Sequence, residues 1–291
     1  MQVSYGSHGV VLLADGEQLD CQYRRQVGRP VCGDRVAVSG ADTASGAVET
    51  IHPRDNHFVR GDRKRRPQVV ASNLDQVLVV IAHEPAPSRD LVERYLVAVH
   101  SLEIAPVLVV NKVELPAPGA ADAHALTRLD AYRELGYPVI ETSCKAAPGV
   151  AALAPLLDQR TSILVGQSGV GKSSLVRKLL PDLEIQVGRL SRVTGKGTHT
   201  TTTTTMYTLP RGGFLMDSPG VWEYGLWKLD DQQLALGFIE FRPHLGACRF
   251  NDCAHDSEPA CAVKAAVETG EIAQWRYQSY LRLREQNAQG F

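Results

Sequence analysis

The chain has 291 residues, 44% hydrophobic and 22% charged, with 31 basic against 32 acidic side chains and a formal net charge of −1. That length suits about two average domains with enough core to fold without staples, and the balanced charge excludes a molecule-wide basic surface, so any nucleic-acid contact must be local. The longest apolar stretch, Val77–Ala82, is too short to span a bilayer and no secretory signal is visible, so a cytoplasmic protein without membrane contact is expected, its six cysteines mostly reduced.

Before about Phe58 the chain carries short β-branched pieces, Gly9–Leu13 and Asp34–Val38, between glycine turns, the pattern of a small all-β barrel or sandwich. The run Arg60-Gly61-Asp62-Arg63-Lys64-Arg65-Arg66-Pro67 follows as a charged connector, which composition reads equally as a solvated linker and as a phosphate-contacting segment. From Asp75 onward apolar strands alternate with helical stretches. Val77–Ala82, Pro106–Val110, Pro138–Thr142, Ser162–Val165 and Phe214–Met216 are continuous apolar or β-branched runs, as buried parallel strands should be, and Asp90–Leu102 and Ala123–Leu135 are helical between them. This is the layout of a doubly wound α/β domain. Past about Leu234 the strands stop, three cysteines cluster, and Glu271–Gln286 has helical character.

The motifs lie at the ends of those strands. Asn111-Lys112-Val113-Glu114 directly follows one of them. A carboxylate there accepts from both N1–H and N2–H2 of guanine; with adenine it is left unpaired, which discriminates strongly. The usual last residue is Asp; here it is Glu114, one methylene longer. Thr142-Ser143-Cys144-Lys145 has the shape of the companion S-A-K loop, where a backbone N–H meets guanine O6, so Cys144 in place of Ala is tolerable. Gly166-Gln167-Ser168-Gly169-Val170-Gly171-Lys172-Ser173-Ser174 fits G-x-x-x-x-G-K-[ST] at every fixed position. Its glycines let several backbone N–H groups face one anion, Lys172 reaches the β- and γ-phosphates, and the Ser173 hydroxyl binds Mg²⁺.

Asp217-Ser218-Pro219-Gly220 fits D-x-x-G: Asp217 holds Mg²⁺ through water, and the Gly220 N–H senses the γ-phosphate. Between the two phosphate motifs, Gly195–Thr202 is a glycine-flexed, threonine-rich loop suited to closing a threonine onto Mg²⁺, with Thr201 the favoured one; the later threonines suit a strand. Ras-like enzymes keep a water-orienting glutamine just after D-x-x-G, and this chain has Val221 there. His199 is the nearest polar candidate for that task, packing or capping being its competing role.

In chain order the elements run guanine reader, S-C-K loop, phosphate loop, threonine switch, D-x-x-G. That order is a rotation of the usual GTPase order, so the domain is expected to be circularly permuted, with 149–160 as the new joint. With Ala71-Ser72-Asn73-Leu74-Asp75-Gln76, Gly197-Thr198-His199-Thr200-Thr201-Thr202, Asp217-Ser218-Pro219-Gly220-Val221 and Cys248-x4-Cys253-x-His255-x5-Cys261, the chain resembles the ribosome small-subunit-dependent GTPase family (RsgA type) over nearly its whole length. The resemblance implies a multidomain protein: an N-terminal all-β OB-fold barrel (1–60), a central α/β circularly permuted P-loop GTPase (61–233) and a C-terminal helical zinc-binding domain (234–291).

It also implies GTP hydrolysis coupled to late maturation of the 30S subunit, stimulated by that subunit. The partners expected are the 30S subunit with its rRNA and GTP/GDP, the protein itself being a monomer. One structural Zn²⁺ on Cys248, Cys253, His255 and Cys261, and Mg²⁺ with GTP on Ser173, Thr201 and Asp217, are the expected metals; Lys172, His199 and Thr201 are the expected catalytic groups. Arg24, Arg25, Arg29 and Arg35 are candidate phosphate contacts of the barrel or ordinary surface arginines. A nucleotide-gated binding module with incidental hydrolysis, and an unrelated phosphate-loop ATPase or kinase, are the competing readings. They separate on turnover with the subunit and on nucleotide competition.

Overall fold

The structure, a computed structural model, describes residues 1–41, 45–61, 67–88, 90–116, 126–194, 203–218 and 229–289. Five N-terminal strands, β1 (Val3–Tyr5), β2 (His8–Leu12), β3 (Gln18–Tyr23), β4 (Val36–Ser39) and β5 (Gly46–Ile51), pair in the order β1-β2-β3-β5-β4. Residues of alternating burial on β3 turn Leu19 and Cys21 inward to a small core with Met1, Val11 and Val48, the period-two signature of a sheet wetted on one face. This arrangement fits the expected OB-fold. Two of the four barrel arginines already hold acids, Arg24 to Glu49 at 2.8 Å and Arg35 to Asp55 at 2.9 Å, whereas Arg25 and Arg29 are exposed.

Strands β6 (His57–Gly61) and β7 (Pro67–Ser72) form an antiparallel hairpin. The ends of the charged connector are therefore paired rungs, Arg60 with Gln68 and Gly61 with Pro67, rather than a linker between units. The sequence gives no sign of this, because Asp62–Arg66, which would carry the turn signal, is all charge; those residues lie outside the described ones.

The central sheet runs β10 (Val139–Glu141), β9 (Ala105–Asn111), β8 (Gln76–Ala82), β11 (Thr161–Val165), β13 (Phe214–Asp217), β12 (Thr205–Thr208), parallel throughout except for β12. All five apolar runs become strands, to within one residue at either end. Every residue of β8 is buried, which is why its text is continuously apolar rather than alternating. The helices are α1 (Leu91–His100), α2 (Leu129–Glu134), α3 (Ala154–Leu157), α4 (Lys172–Leu179) and α5 (Leu183–Thr194). The helix expected over Ala123–Leu135 is in its described part a 3-10 turn, Leu126–Arg128, followed by α2.

At β12 the sheet does not end: Val3 of β1 registers with Thr205, so barrel and α/β unit share one eleven-stranded sheet. The C-terminal part holds α6 (Asp231–Leu236), α7 (Ala262–Glu268) and α8 (Gln274–Gln289) around a core of Phe238, Phe241, Val263, Tyr280 and Leu283. Among the described residues no helix is long and apolar enough to cross a membrane.

Candidate functional site

The motifs converge because each follows the carboxyl end of a parallel strand, and those ends lie along one edge of the sheet. The phosphate loop leaves β11 at Gly166, where φ is +145° and a Cβ would stand 2.2 Å from the Val80 carbonyl oxygen. Only glycine fits there. Gly171, at φ +97°, precedes α4 with no side chain capping the helix, and a Cβ on it would meet Asn111 Nδ2 at 2.4 Å. The first N–H groups of α4 are thus open to an anion, with the helix dipole favouring one. The Lys172 ammonium folds back over the loop, donating to Gly166 O at 2.5 Å and Gln167 O at 2.9 Å. Ser168, Gly169 and Ser173 are exposed, Ser174 is half-buried, and Val170 is packed into the core.

Asn111 joins three motifs. Buried at the end of β9, it donates through Nδ2 to the Val170 carbonyl at 2.9 Å and accepts at Oδ1 from the Thr142 hydroxyl at 3.1 Å. The candidate guanine reader, the phosphate loop and the S-C-K loop are therefore fixed to one another. Lys112, at φ +60°, sends its ammonium to Glu84 O at 2.7 Å. Ser143 Oγ accepts from the backbone N–H groups of Lys145 and Ala146, at 3.0 and 2.8 Å, and so shapes its own loop.

Glu114 stands beside that loop. The Ser143 hydroxyl, with the Lys145 and Lys112 charges behind it, holds its carboxyl below the usual carboxylate value, so the group is ionised. Its Oε2 is shielded from solvent yet has no hydrogen-bond donor. An orphaned carboxylate oxygen of this kind fits the N1–H and N2–H2 donors of guanine and offers adenine nothing. Cys144, half-buried with its thiol pushed up by burial and by Glu114, carries no reactive thiolate.

Asp217 ends β13, where burial raises its carboxyl pKa and the Lys172 charge opposes that rise. Lysine and aspartate thus share one electrostatic environment, as metal and phosphate binding require. The Ser218 and Thr204 hydroxyls are 2.9 Å apart, tying the described ends of the two switch segments together. His199, Thr201 and Gly220 lie outside the described residues. Of the threonine run only Thr205 enters a strand, β12, with Thr203 and Thr204 just before it. Contacts the sequence gives no sign of are Thr142 on Asn111 and the carbonyls of Glu84 and Ala86, the latter accepting from Gln167 Nε2 at 3.2 Å; a backbone carbonyl leaves no mark in the residue code.

In the C-terminal part, Cys248, Cys253, His255 and Cys261 bring their ligand atoms within 4.8 Å of one another. Cys248 Sγ and Cys261 Sγ are 3.9 Å apart, and each is 3.5 Å from His255 Nδ1. A tetrahedral Zn²⁺ with ordinary Zn–S and Zn–N lengths requires edges of about 3.8 Å and about 3.6 Å. The donor set and its spacing fit zinc. His255 reaches its place with a left-handed backbone, φ +59°, and its carbonyl and that of Ala254 accept from the Tyr277 and Tyr280 hydroxyls, both at 2.8 Å.

Comparison with known proteins agrees with this geometry. The RsgA GTPase family model matches residues 51–227. A small ribosomal subunit biogenesis GTPase RsgA of Chromohalobacter salexigens is 48% identical over 260 residues, covering 89% of this chain and 76% of that one. The protein of the same name from Hahella chejuensis is 45% identical over 270 residues, covering 93% and 77%. Among solved structures, YjeQ from Thermotoga maritima has a TM-score of 0.77 at 30% identity, over 99% of this chain and 97% of that one. YloQ, described as a circularly permuted GTPase, has a TM-score of 0.76 at 26% identity over 99% and 94%.

Proposed function

The chain belongs to the RsgA GTPase family and is a circularly permuted GTP hydrolase, and we propose that it spends that hydrolysis on late maturation of the small ribosomal subunit, binding the subunit and its rRNA with GTP and leaving after hydrolysis. The observation that carries the nucleotide half of this reading is the three-motif junction at Asn111 beside the orphaned Glu114 oxygen. The ribosomal half is supported by the name its relatives bear.

In this reading Asn111, Lys112, Glu114 and Ser143–Lys145 hold guanine, and 166–174 hold the phosphates. Mg²⁺ on Ser173, Thr201 and Asp217 would neutralise charge gathering between the β- and γ-phosphates. Gly220 senses the γ-phosphate, and His199 orients the attacking water in place of the glutamine that Val221 replaces. Zinc occupies the Cys3His cluster, and the units are 1–60, 61–233 and 234–291. The protein works as a monomer in the cytoplasm.

Two results test it. Without a water-orienting glutamine the isolated protein is expected to turn over slowly, and 30S subunits to accelerate it by ordering the switch loops. At one fixed salt concentration 50S subunits and bare rRNA should not substitute, and the acceleration should fade as salt rises, because phosphate contacts release counterions. His199→Ala should bind GTP normally and lose the stimulated rate. Equal rates with and without 30S would remove the ribosome as activator while leaving the GTPase assignment intact.

The second concerns base choice. Glu114→Ala should weaken GTP by about 1.5–3 kcal/mol, the range for hydrogen bonds to a charged group, and let ATP compete. If ATP competes no better than against wild type, Glu114 is not the guanine reader.

A further inference from the structure

Helix α1 has two buried faces. Val92, Tyr95, Leu96 and Val99 pack into the core of the α/β unit, and Glu93, Arg94 and Val97, together with Asp90 just before the helix, meet the C-terminal part. Val97 belongs to the same apolar cluster as Phe238 and Tyr280, and Gly237 comes so close that a Cβ on it would lie 2.8 Å from Val97 Cα. Around this contact the charges are paired across the junction. Arg276, 1% exposed, bridges Glu240 at 2.5 Å and Glu93 at 3.6 Å, and Arg94 donates to Gln286 at 2.9 Å.

Asp90 is the most committed of these groups. It sits at the N-terminus of α1 with φ +62°, in the left-handed region that residues with a Cβ seldom visit. Its carboxylate does not cap its own helix. Instead it accepts from Nε and Nη2 of Arg282, each at 2.6 Å, and from the Ser279 hydroxyl at 2.8 Å, all on α8, and is only 3% exposed. A strained backbone persists where its surroundings over-determine it, and here they belong to the other end of the chain.

The residues just before Asp90 touch the nucleotide loops. His83 Nδ1 donates to Leu115 O at 2.8 Å, Glu84 O accepts the Lys112 ammonium, and Ala86 O accepts from Gln167 of the phosphate loop. Leu91 N–H donates to Ser88 O at 3.1 Å, joining this segment to the start of α1. One short stretch thus has its beginning against the guanine reader and phosphate loop and its end in the grip of α8.

Resting on the GTPase reading above, we propose that Asp90 is a positioning residue for the nucleotide. The Arg282–Ser279 grip on its carboxylate fixes segment 83–88, and through it Lys112 and Gln167, so that docking of α8 slows release of guanine nucleotide. By linkage, whatever part of that effect appears in equilibrium affinity must tighten the docking of α8 on nucleotide binding by the same factor. This route is separate from the chain connection between Asp217 and α6.

The test is the dissociation rate of a fluorescent GDP from full-length, zinc-loaded protein, read at a temperature where circular dichroism shows each variant folded. Asp90→Asn keeps a side chain tolerant of the left-handed backbone and removes the charge. Arg282→Gln attacks the pair from its more open side, with Arg282 26% exposed, and keeps the test available if the Asp90 variant does not fold. Each is expected to release GDP about tenfold faster, within the usual range of coupling between sites. The double variant should be no faster than either, and Arg282→Lys should recover most of the wild-type rate.

Arg284→Gln is the control, because it breaks ion pairs of the same helix, to Asp231 and Asp256, without touching α1; it should release GDP at the wild-type rate. Wild-type rates in both Asp90→Asn and Arg282→Gln, or acceleration of equal size in Arg284→Gln, would overturn the proposal. Failure of the wild-type protein to bind the labelled GDP would instead overturn the guanine reading, and this proposal with it.

Discussion

Stripping zinc from the protein, or replacing Cys253→Ser, is expected to unfold the region that carries α7 and α8. Three of the four ligand atoms stand at tetrahedral edge lengths and the fourth, on Cys253, lies within 4.8 Å of them, and structural zinc is worth about 10–16 kcal/mol in small domains, more than most such domains hold in their cores. The loop that a bound zinc would close also anchors α8, because the Tyr277 and Tyr280 hydroxyls end on carbonyls of His255 and Ala254. Remove the metal and those acceptors are no longer held where the helix needs them. Freshly purified protein should contain one zinc per chain. A strong chelator or Cys253→Ser should abolish a cooperative thermal transition and lower helical circular dichroism, while the α/β unit, with its own core, retains its transition. Protein that contains no zinc, or a Cys253→Ser variant that melts like wild type, would show that the cluster holds no structural metal. Cys21, Cys32 and Cys144 should be spared in either case, since burial pushes the Cys21 thiol up to about 11 and the Cys32 thiol up to about 12, and none joins the cluster.

The residues that announce themselves in the sequence are those whose chemistry fixes both type and spacing. Gly166, Gly171 and Lys172 could be placed because a phosphate loop tolerates nothing else there, and the structure shows the reason at Gly166, where a Cβ would collide with Val80 O. Asn111 was legible as a candidate base reader; its bond to Val170 was not, since that contact depends on β9 and β11 ending at the same level of the sheet. The central strands were legible from their unbroken apolar runs, which only burial on both faces permits. The junctions were not. The rung Val3 to Thr205 that joins barrel to α/β unit carries no pattern of its own. Arg276, a residue type expected at the surface, is fully buried because two acids 36 and 183 positions away in the chain meet it. Long-range charge pairing of this kind has no local signature. It is also where the coupling between the C-terminal part and the nucleotide loops resides.

Lys172→Ala is expected to cost turnover at least about a hundredfold, the scale of losing one preorganised charge at a developing oxyanion. In the free protein the ammonium spans the mouth of the loop between the carbonyls of Gly166 and Gln167, holding the curl that points the backbone N–H groups at a phosphate. It also offsets the burial of Asp217, lowering that carboxyl toward the ionised form a metal needs. Both tasks are lost at once, and the second explains why an uncharged residue of similar length, Lys172→Met, should fare no better. The proposed guanine contacts should be untouched by either change, since Asn111 and Glu114 are held by Thr142, Val170 and Ser143. The variant should therefore lose affinity for GTP more than for guanosine, and its single-turnover rate with enzyme in excess should fall with no recovery on adding 30S subunits. A single-turnover rate within about threefold of wild type would mean that the transferred phosphate does not sit on this loop.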